Sequence, residues 1–235
     1  GSLFELLSLN KFIFRDSQIK SSYFPRAAFN IFSNDTSQVL FQNFRFTEYN
    51  PHQLIPIQDY QKSVFLNVSG NNKTDIKISS SDFSHINYFS ATNLFSLAST
   101  NLFITESTFR NIVVNVTTPL MSYLFLIQDT NLSIIGSEFS EVNFTSSNMG
   151  ILYAESSNIY LASTKFSNTS ASRDTAPLRI ISNTTMKMNN VYFELFRTGS
   201  GSNTLISSSR SIITAEETHI TGFMVSANEV GSLHL

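Results

Sequence analysis

One apolar template recurs eight times along this chain, and it restricts the possible folds more than any other feature. With an apolar residue at position p and others at p+2 and p+7, it fits Phe12/Phe14/Ile19, Val39/Phe41/Phe46, Ile76/Ile78/Phe83 and Leu102/Ile104/Phe109. It continues through Leu132/Ile134/Phe139, Ile159/Leu161/Phe166, Met186/Met188/Phe193 and Ile213/Ala215/Ile220. Every template position is apolar in a chain that is 41% hydrophobic, and successive copies start 27, 37, 26, 30, 27, 27 and 27 residues apart. A column at p−8 (Phe4, Ile31, Val68, Leu94, Leu124, Ile151, Leu178, Leu205) is also apolar throughout, and it reads as a further inward ladder in the same register.

Within each copy the period is 2, the signature of strands whose alternate side chains face inward. Ser, Thr, Asn and Gly cluster between the apolar slots, so each copy reads as three short strands joined by tight turns. No copy carries a helix-period stripe, which leaves crossover helices of a βαβ fold without a candidate. A unit of roughly 27 residues cannot close a core alone, but stacked copies share a continuous one. Propeller blades need about 40 residues or more, and the leucine-rich consensus is absent. The expected fold is all-β: a single-stranded parallel β-helix, or β-solenoid, of about eight three-strand coils, one continuous segment over residues 1–235. At about 4.8 Å per coil the rod measures roughly 38 Å.

Stacking turns template columns into axial ladders. The p+7 column holds Phe46, Phe83, Phe109, Phe139, Phe166 and Phe193, whose rings can pack in an offset stack. Asn101, Asn131 and Asn158 share p−1, where stacked amides can bond along the axis and Asn tolerates left-handed turn geometry. The stretches 100–112 (TNLFITESTFRNI), 130–143 (TNLSIIGSEFSEVN) and 149–169 (MGILYAESSNIYLASTKFSNT) resemble right-handed parallel β-helices of the pectin-lyase-like type. In particular they resemble the solenoid repeats of polymorphic-outer-membrane-type surface proteins and their protist relatives. That resemblance implies a right-handed coil; the glycine pair such surface repeats often carry is reduced here to Gly150.

The 37-residue spacing contains an insertion at residues 50–61, where Pro51 and Pro56 mark a loop leaving the stack and His52, Asp59 and Tyr60 sit on it. It reads as a cover over a groove. A three-residue excess at residues 114–119 reads as a bulged turn, and residues 199–203 (GSGSN) as a turn within the register. The pattern runs to both ends, from Phe4 to a strand-like stretch at 231–235, without an atypical capping repeat. Two expectations follow: a piece of a longer solenoid, or ends covered by other subunits. The partners expected are therefore other copies of the chain or flanking coils at both ends.

Composition removes several function classes. Only 14% of residues are charged and the net charge is −2, which disfavours a nucleic-acid partner that needs a basic face. With no Cys there is neither a disulfide scaffold nor a thiolate site. No run of about 18 apolar residues is present to span a bilayer, and no charged-then-apolar leader opens the chain. Instead 38 Ser, 21 Thr and 23 Asn carry the solvation.

A polymer-cleaving β-helix needs acidic clusters with a basic residue on the same face. Here the carboxylates scatter over the template. Asp82 and Glu138 share the outward p+6 column with Arg45, Lys165 and His219, but a whole coil separates the two acids. Glu138 and Glu141 read as a solvated pair. The four His, at 52, 85, 219 and 234, lack metal-ligand spacing, and the runs at 79–81 and 207–209 offer no nucleophile-elbow serine. Catalytic residues, metal ligands and cofactors are accordingly expected to be none.

Sequons for N-glycosylation stand at Asn34, Asn67, Asn72, Asn115, Asn143, Asn168 and Asn183, with an eighth at Asn131 assigned to the amide ladder instead. About five or six would arise by chance, so placement matters more than number. Alternation points Asn67, Asn115 and Asn143 outward. At p+1, Ile13, Leu40, Phe103 and Tyr160 form a candidate contact face. The expected role is a non-catalytic, extracellular or cell-surface β-solenoid, structural or adhesive, belonging to a glycosylated surface or filament-forming protein. The alternative is a carbohydrate-active β-helix enzyme or a degenerate sugar-binding relative.

Overall fold

A computed structural model describes residues 3–7, 10–20, 27–33, 37–49, 63–70, 74–88, 93–115, 122–145, 149–170, 176–198, 204–222 and 224–225. The insertion at 50–61, Asn34, Asn72, His52, His234 and the stretches 116–119, 199–203 and 231–235 lie outside them. Among the described residues every regular element is a β-strand. The first coil comprises Phe4–Leu7, Lys11–Arg15 and Gln18–Lys20, and the fourth Asn93–Ala98, Thr100–Thr105 and Thr108–Val114. The eighth comprises Ile206–Ser209, Ile212–Glu216 and His219–Thr221.

These strands form three parallel sheets, called first, second and third after their order within a coil. Each runs through eight strands in chain order, so every strand pairs with its equivalents one coil away. A fourth, short pairing joins Arg197–Thr198 to Met224–Val225. The chain is thus a parallel β-solenoid. Its closed interior is about six turns rather than eight. Inward residues from Phe29 to Leu205 are buried, whereas Phe4, Phe12 and Phe14 in the first coil and Ile213 and Ile220 in the last are only partly so. Among the described residues each of these two coils pairs with a neighbouring coil on one side only.

In the second sheet the p and p+2 residues stack as continuous columns, as the pairing Leu102–Leu132–Ile159–Met186 illustrates. The p−8 column does not survive as one ladder. In the first sheet Phe4 pairs with Phe29, not Ile31, and the aligned column runs Phe29–Leu66–Phe95–Phe125–Leu152–Leu178–Ile206. Ile31 and Val68 belong to a second column with Leu97 and Ile127. Counting back from p fails because the turn between first and second strands changes length from coil to coil. The positions remain apolar because the strand start turns into the core: Leu94, Phe95, Leu124 and Phe125 are all buried.

The p+7 rings stack nearly face to face from Phe83 to Phe193: 4.7 Å to Phe109, then 4.6, 4.8 and 5.1 Å, with interplanar angles of 5°, 5°, 16° and 8°. Phe46 departs from the stack, lying 6.4 Å from Phe83 at 49°. Phe65 packs against both rings, at 5.2 and 4.9 Å, and tilts them apart. Phe65 lies in the eight-residue strand Ser63–Gly70, where Val64 and Phe65 together stand against one residue, Leu94, of the next strand and the pairing shifts register.

The corners follow one rule. At p+4 stand Asp16, Asn43, Ser80, Glu106, Gly136, Ser163, Asn190 and Glu217, all left-handed, with φ from 47° at Ser163 to 59° at Gly136. At p+9, Glu48, His85, Asn111, Glu141, Asn168, Leu195 and Gly222 are left-handed too. A single left-handed residue per corner bends the chain from one sheet into the next, and its N–H donates to the next coil, as Glu106 does to the Ile135 carbonyl at 3.0 Å. Beside these corners buried hydroxyls form short axial relays. Ser81, Ser107 and Ser137 each donate to the carbonyl two residues back and accept the N–H of the p+5 residue one coil before. Polar corner atoms are thereby satisfied inside the fold.

Candidate functional site

The outer face of the second sheet carries a hydrogen-bonded rail. Asn101 Nδ2 donates to Asp75 Oδ1 at 2.6 Å, Asn131 Nδ2 to Asn101 Oδ1 at 2.7 Å, and Asn158 Nδ2 to Asn131 Oδ1 at 2.9 Å. Thr185 closes it, its hydroxyl donating to Asn158 Oδ1 at 2.6 Å. All donors point one way, and a carboxylate terminates the accepting end, where a charge-assisted bond is strongest. These asparagines sit in the strands and not in left-handed turns; the left-handed residue lies two positions earlier, at Ser99, Asp129 and Ser156. Strand residues in register place equivalent side chains one coil apart, so each amide reaches the next.

Beside the rail runs the p+1 column in the order Ile13, Leu40, Lys77, Phe103, Ser133, Tyr160, Lys187, Thr214. Ile13 (46%) and Phe103 (40%) are exposed, while Leu40 and Tyr160 are half-buried. Lys77 separates Leu40 from Phe103, and Ser133 separates Phe103 from Tyr160. The four apolar groups therefore do not touch as one patch.

The corner between second and third sheets holds a shallow open groove of about 600 Å³, lined by Asn43, Arg45, Asp82, Glu106, Arg110 and Glu138 among others. Small Ser80 and Ser81 at the corner leave this space between longer neighbours. The Asp82 carboxylate is occupied: Arg110 lies 3.3 Å away, and the hydroxyls of Thr108 and Ser84 donate to it at 3.1 and 3.2 Å. Asp82 and Glu138 are two coils apart with Thr108 between them. Glu106 accepts from Ser80 at 3.4 Å. Along this face the column runs Arg45, Asp82, Thr108, Glu138, Lys165, so the two acids are flanked by bases and separated by Thr108 rather than gathered. Lys165 meets Glu194 at 2.9 Å, and that ion pair raises the lysine above its ordinary pKa. Among the described residues no group of three or more His, Asp or Glu is placed to hold a metal ion.

The described sequons fall into two settings. Asn67, Asn115 and Asn143 are half-buried. Asn67 Nδ2 donates to Asn30 Oδ1 at 2.6 Å, and Asn143 accepts from Ser170 at 3.0 Å. Asn168 and Asn183 are exposed at left-handed corners, with φ of 46° and 56°.

Sequence reading missed a buried cluster on the first sheet. Tyr123 is fully buried, its ring 5.4 Å from that of Tyr153, and Arg179 lies 5.6 Å from the Tyr153 ring centre. Burial pushes the Tyr123 phenol above its ordinary value, with the nearby Arg179 charge pulling partway back. Gly150 makes the cluster possible, because a Cβ there would lie 2.8 Å from the Pro177 carbonyl oxygen and 3.0 Å from the Tyr123 ring. Tyr123 and Tyr153 stand on neighbouring strands out of register with each other, Tyr123 facing Gly150 and Tyr153 facing Leu126, so no repeated column pointed to them.

No protein-family profile, curated protein or solved structure matches this chain.

Proposed function

We propose that this chain is a non-catalytic structural or adhesive β-solenoid that works at the cell surface or outside the cell, through shape and rigidity. One observation supports the reading above others: three parallel ladders of eight strands run the length of the rod, tied side by side by the amide rail and the hydroxyl relays. Such a body presents long, regular faces and resists bending, which suits a spacer or a surface for contact. N-linked glycans at Asn168 and Asn183 in the first instance would add solvation that a surface with few charges lacks. Kinship with pectin-lyase-like and polymorphic-outer-membrane-type repeats belongs to the same proposal and rests on the stretches 100–112, 130–143 and 149–169.

The test combines two measurements on chain expressed through a secretory route. Intact mass should fall after glycosidase treatment, and acidic polysaccharides should remain uncleaved with and without calcium. Unchanged mass removes the glycans from the proposal. Robust cleavage overturns the scaffold role and favours the second reading, a carbohydrate-active β-helix acting at the groove that holds Glu106 and Glu138.

A further inference from the structure

We infer that the outer face of the second sheet binds an extended, uncharged β-1,4-linked glucan chain laid along the rod axis. The inference rests on the adhesive role proposed above and names its ligand class and its face. In the p+1 column Phe103 and Tyr160 stand two coils apart with Ser133 between them, about 10 Å at the spacing of paired strands. In an extended β-1,4 glucan each sugar is turned over relative to the last. The same ring face therefore returns at every second sugar, after nearly that distance. Two aromatic platforms so spaced can each take the apolar C–H face of a sugar, while the intervening sugar lies over the small Ser133. Ile135, exposed on the same coil as Ser133, adds apolar surface beside it. The separation that keeps these rings from forming one patch is the separation this polymer needs.

The amide rail supplies the polar half of the site. Each of Asn101, Asn131 and Asn158 gives the rail one of its two amide N–H groups and one oxygen lone pair, and so retains a donor and an acceptor. A sugar hydroxyl both donates and accepts, and at every coil it meets such a pair. The rail bonds already hold these side chains in place, so little rotamer freedom is lost on binding.

Shape and charge narrow the choice of polymer. Tight corners, each turned by a left-handed residue, bound the strip on both sides and leave it flat. No residue of Thr100–Thr105, Asn131–Ile135 or Asn158–Ala162 is charged. The adjoining corners carry Glu106 and Asp129, and the rail ends on Asp75. Lys77 and Lys187 lie one coil beyond the rings, the second of them 3.8 Å from Glu216. A polyuronate would set its carboxylates against the three acids, whereas a neutral glucan meets an uncharged strip.

The experiment is isothermal calorimetry on the whole chain with cellohexaose, compared with β-1,3-linked laminarihexaose and with hexagalacturonate. Cellohexaose should bind at least about tenfold more tightly than either comparison sugar, and Phe103→Ala and Tyr160→Ala should each weaken it about tenfold. The double variant F103A/S133F keeps two rings but sets them one coil apart, and should bind no better than F103A. Ile13→Ala, on the same column outside the strip, should leave binding unchanged. Circular dichroism confirms that each variant folds. No binding of cellohexaose, equal binding of either comparison sugar, an alanine variant that binds like the parent, or parental affinity in F103A/S133F would each overturn the inference. Absence of cellohexaose binding would remove this site alone, because the scaffold role is decided by the glycosidase and cleavage measurements.

Discussion

Replacing Phe109 by alanine should cost more stability than any ordinary core truncation in this chain, and the ladder geometry says why. Phe109 is fully buried, with parallel rings above and below it, Phe83 at 4.7 Å and Phe139 at 4.6 Å, and Phe95 and Phe125 edge-on at 6.2 and 6.0 Å. A buried Phe→Ala change typically costs about 3–5 kcal/mol in lost transfer energy and cavity. Each aromatic pair adds about 0.5–1.5 kcal/mol beyond area. With two parallel stacks lost and strands pinned in register on either side, Phe109→Ala belongs at the upper end, about 5 kcal/mol. Phe109→Leu keeps most of the apolar volume and loses the stacks, for about 2 kcal/mol. Phe193 offers an internal control, since it has one parallel partner, Phe166 at 5.1 Å, and Ile220 on the other side. Phe193→Ala should therefore cost about 1 kcal/mol less than Phe109→Ala. Urea titration followed by circular dichroism measures all three. A changed slope would report that the rod no longer unfolds as one unit, which a one-dimensional stack permits. If Phe109→Leu matches the parent within about 0.5 kcal/mol, ring stacking contributes nothing and the reasoning fails.

Three further outcomes are expected. Asn131→Ala breaks the middle of the amide rail and strands Asn101 Oδ1 and Asn158 Nδ2. Two lost bonds on a half-buried face amount to about 1–3 kcal/mol in the same titration, whereas Thr185→Ala, removing only the end rung, should cost about 1 kcal/mol. Gly150→Ala forces its methyl against the Pro177 and Ala176 carbonyls, at 2.8 and 3.1 Å, and should lower the thermal midpoint by several degrees. Tyr123 makes stability fall at high pH. Its phenol titrates above its usual 10.0 in the fold, so the folded chain holds that proton more tightly than the unfolded chain. This contribution is intact below about pH 10 and is lost as pH rises through the folded value. Unfolding free energies between about pH 9 and 11 should decline more steeply for the parent than for Tyr123→Phe. Equal slopes would show that burial of the phenol is not what the titration senses.

Much of the interior was legible in the chain alone, because burial in a strand imposes a period of 2 and stacking repeats it coil by coil. Phe83, Phe109 and Phe139 could be aligned from spacing alone, since the corner between second and third sheets is one left-handed residue in every coil. Where corner lengths vary, spacing misled: Ile31 falls in a different column from Phe4 although both stand at p−8. The left-handed corners themselves were invisible. Glu106, Ser163 and Leu195 are not residues that advertise such a conformation, and hydrogen bonds to the next coil hold them in it. The groove charges were likewise unreadable, because Asp82 finds Arg110 only once the coils are superimposed.

By itself, then, the sequence determined the repeat, the all-β character, the parallel stacking and which faces turn inward, all consequences of alternation and period that any stacked arrangement must respect. Only the tertiary structure decided which residues of neighbouring coils meet. That choice depends on corner lengths and on conformations imposed from outside each residue. It turned three asparagines into a rail running from Asp75 to Thr185, tilted Phe46 out of the aromatic stack against Phe65, and left Phe12 and Phe14 only partly buried.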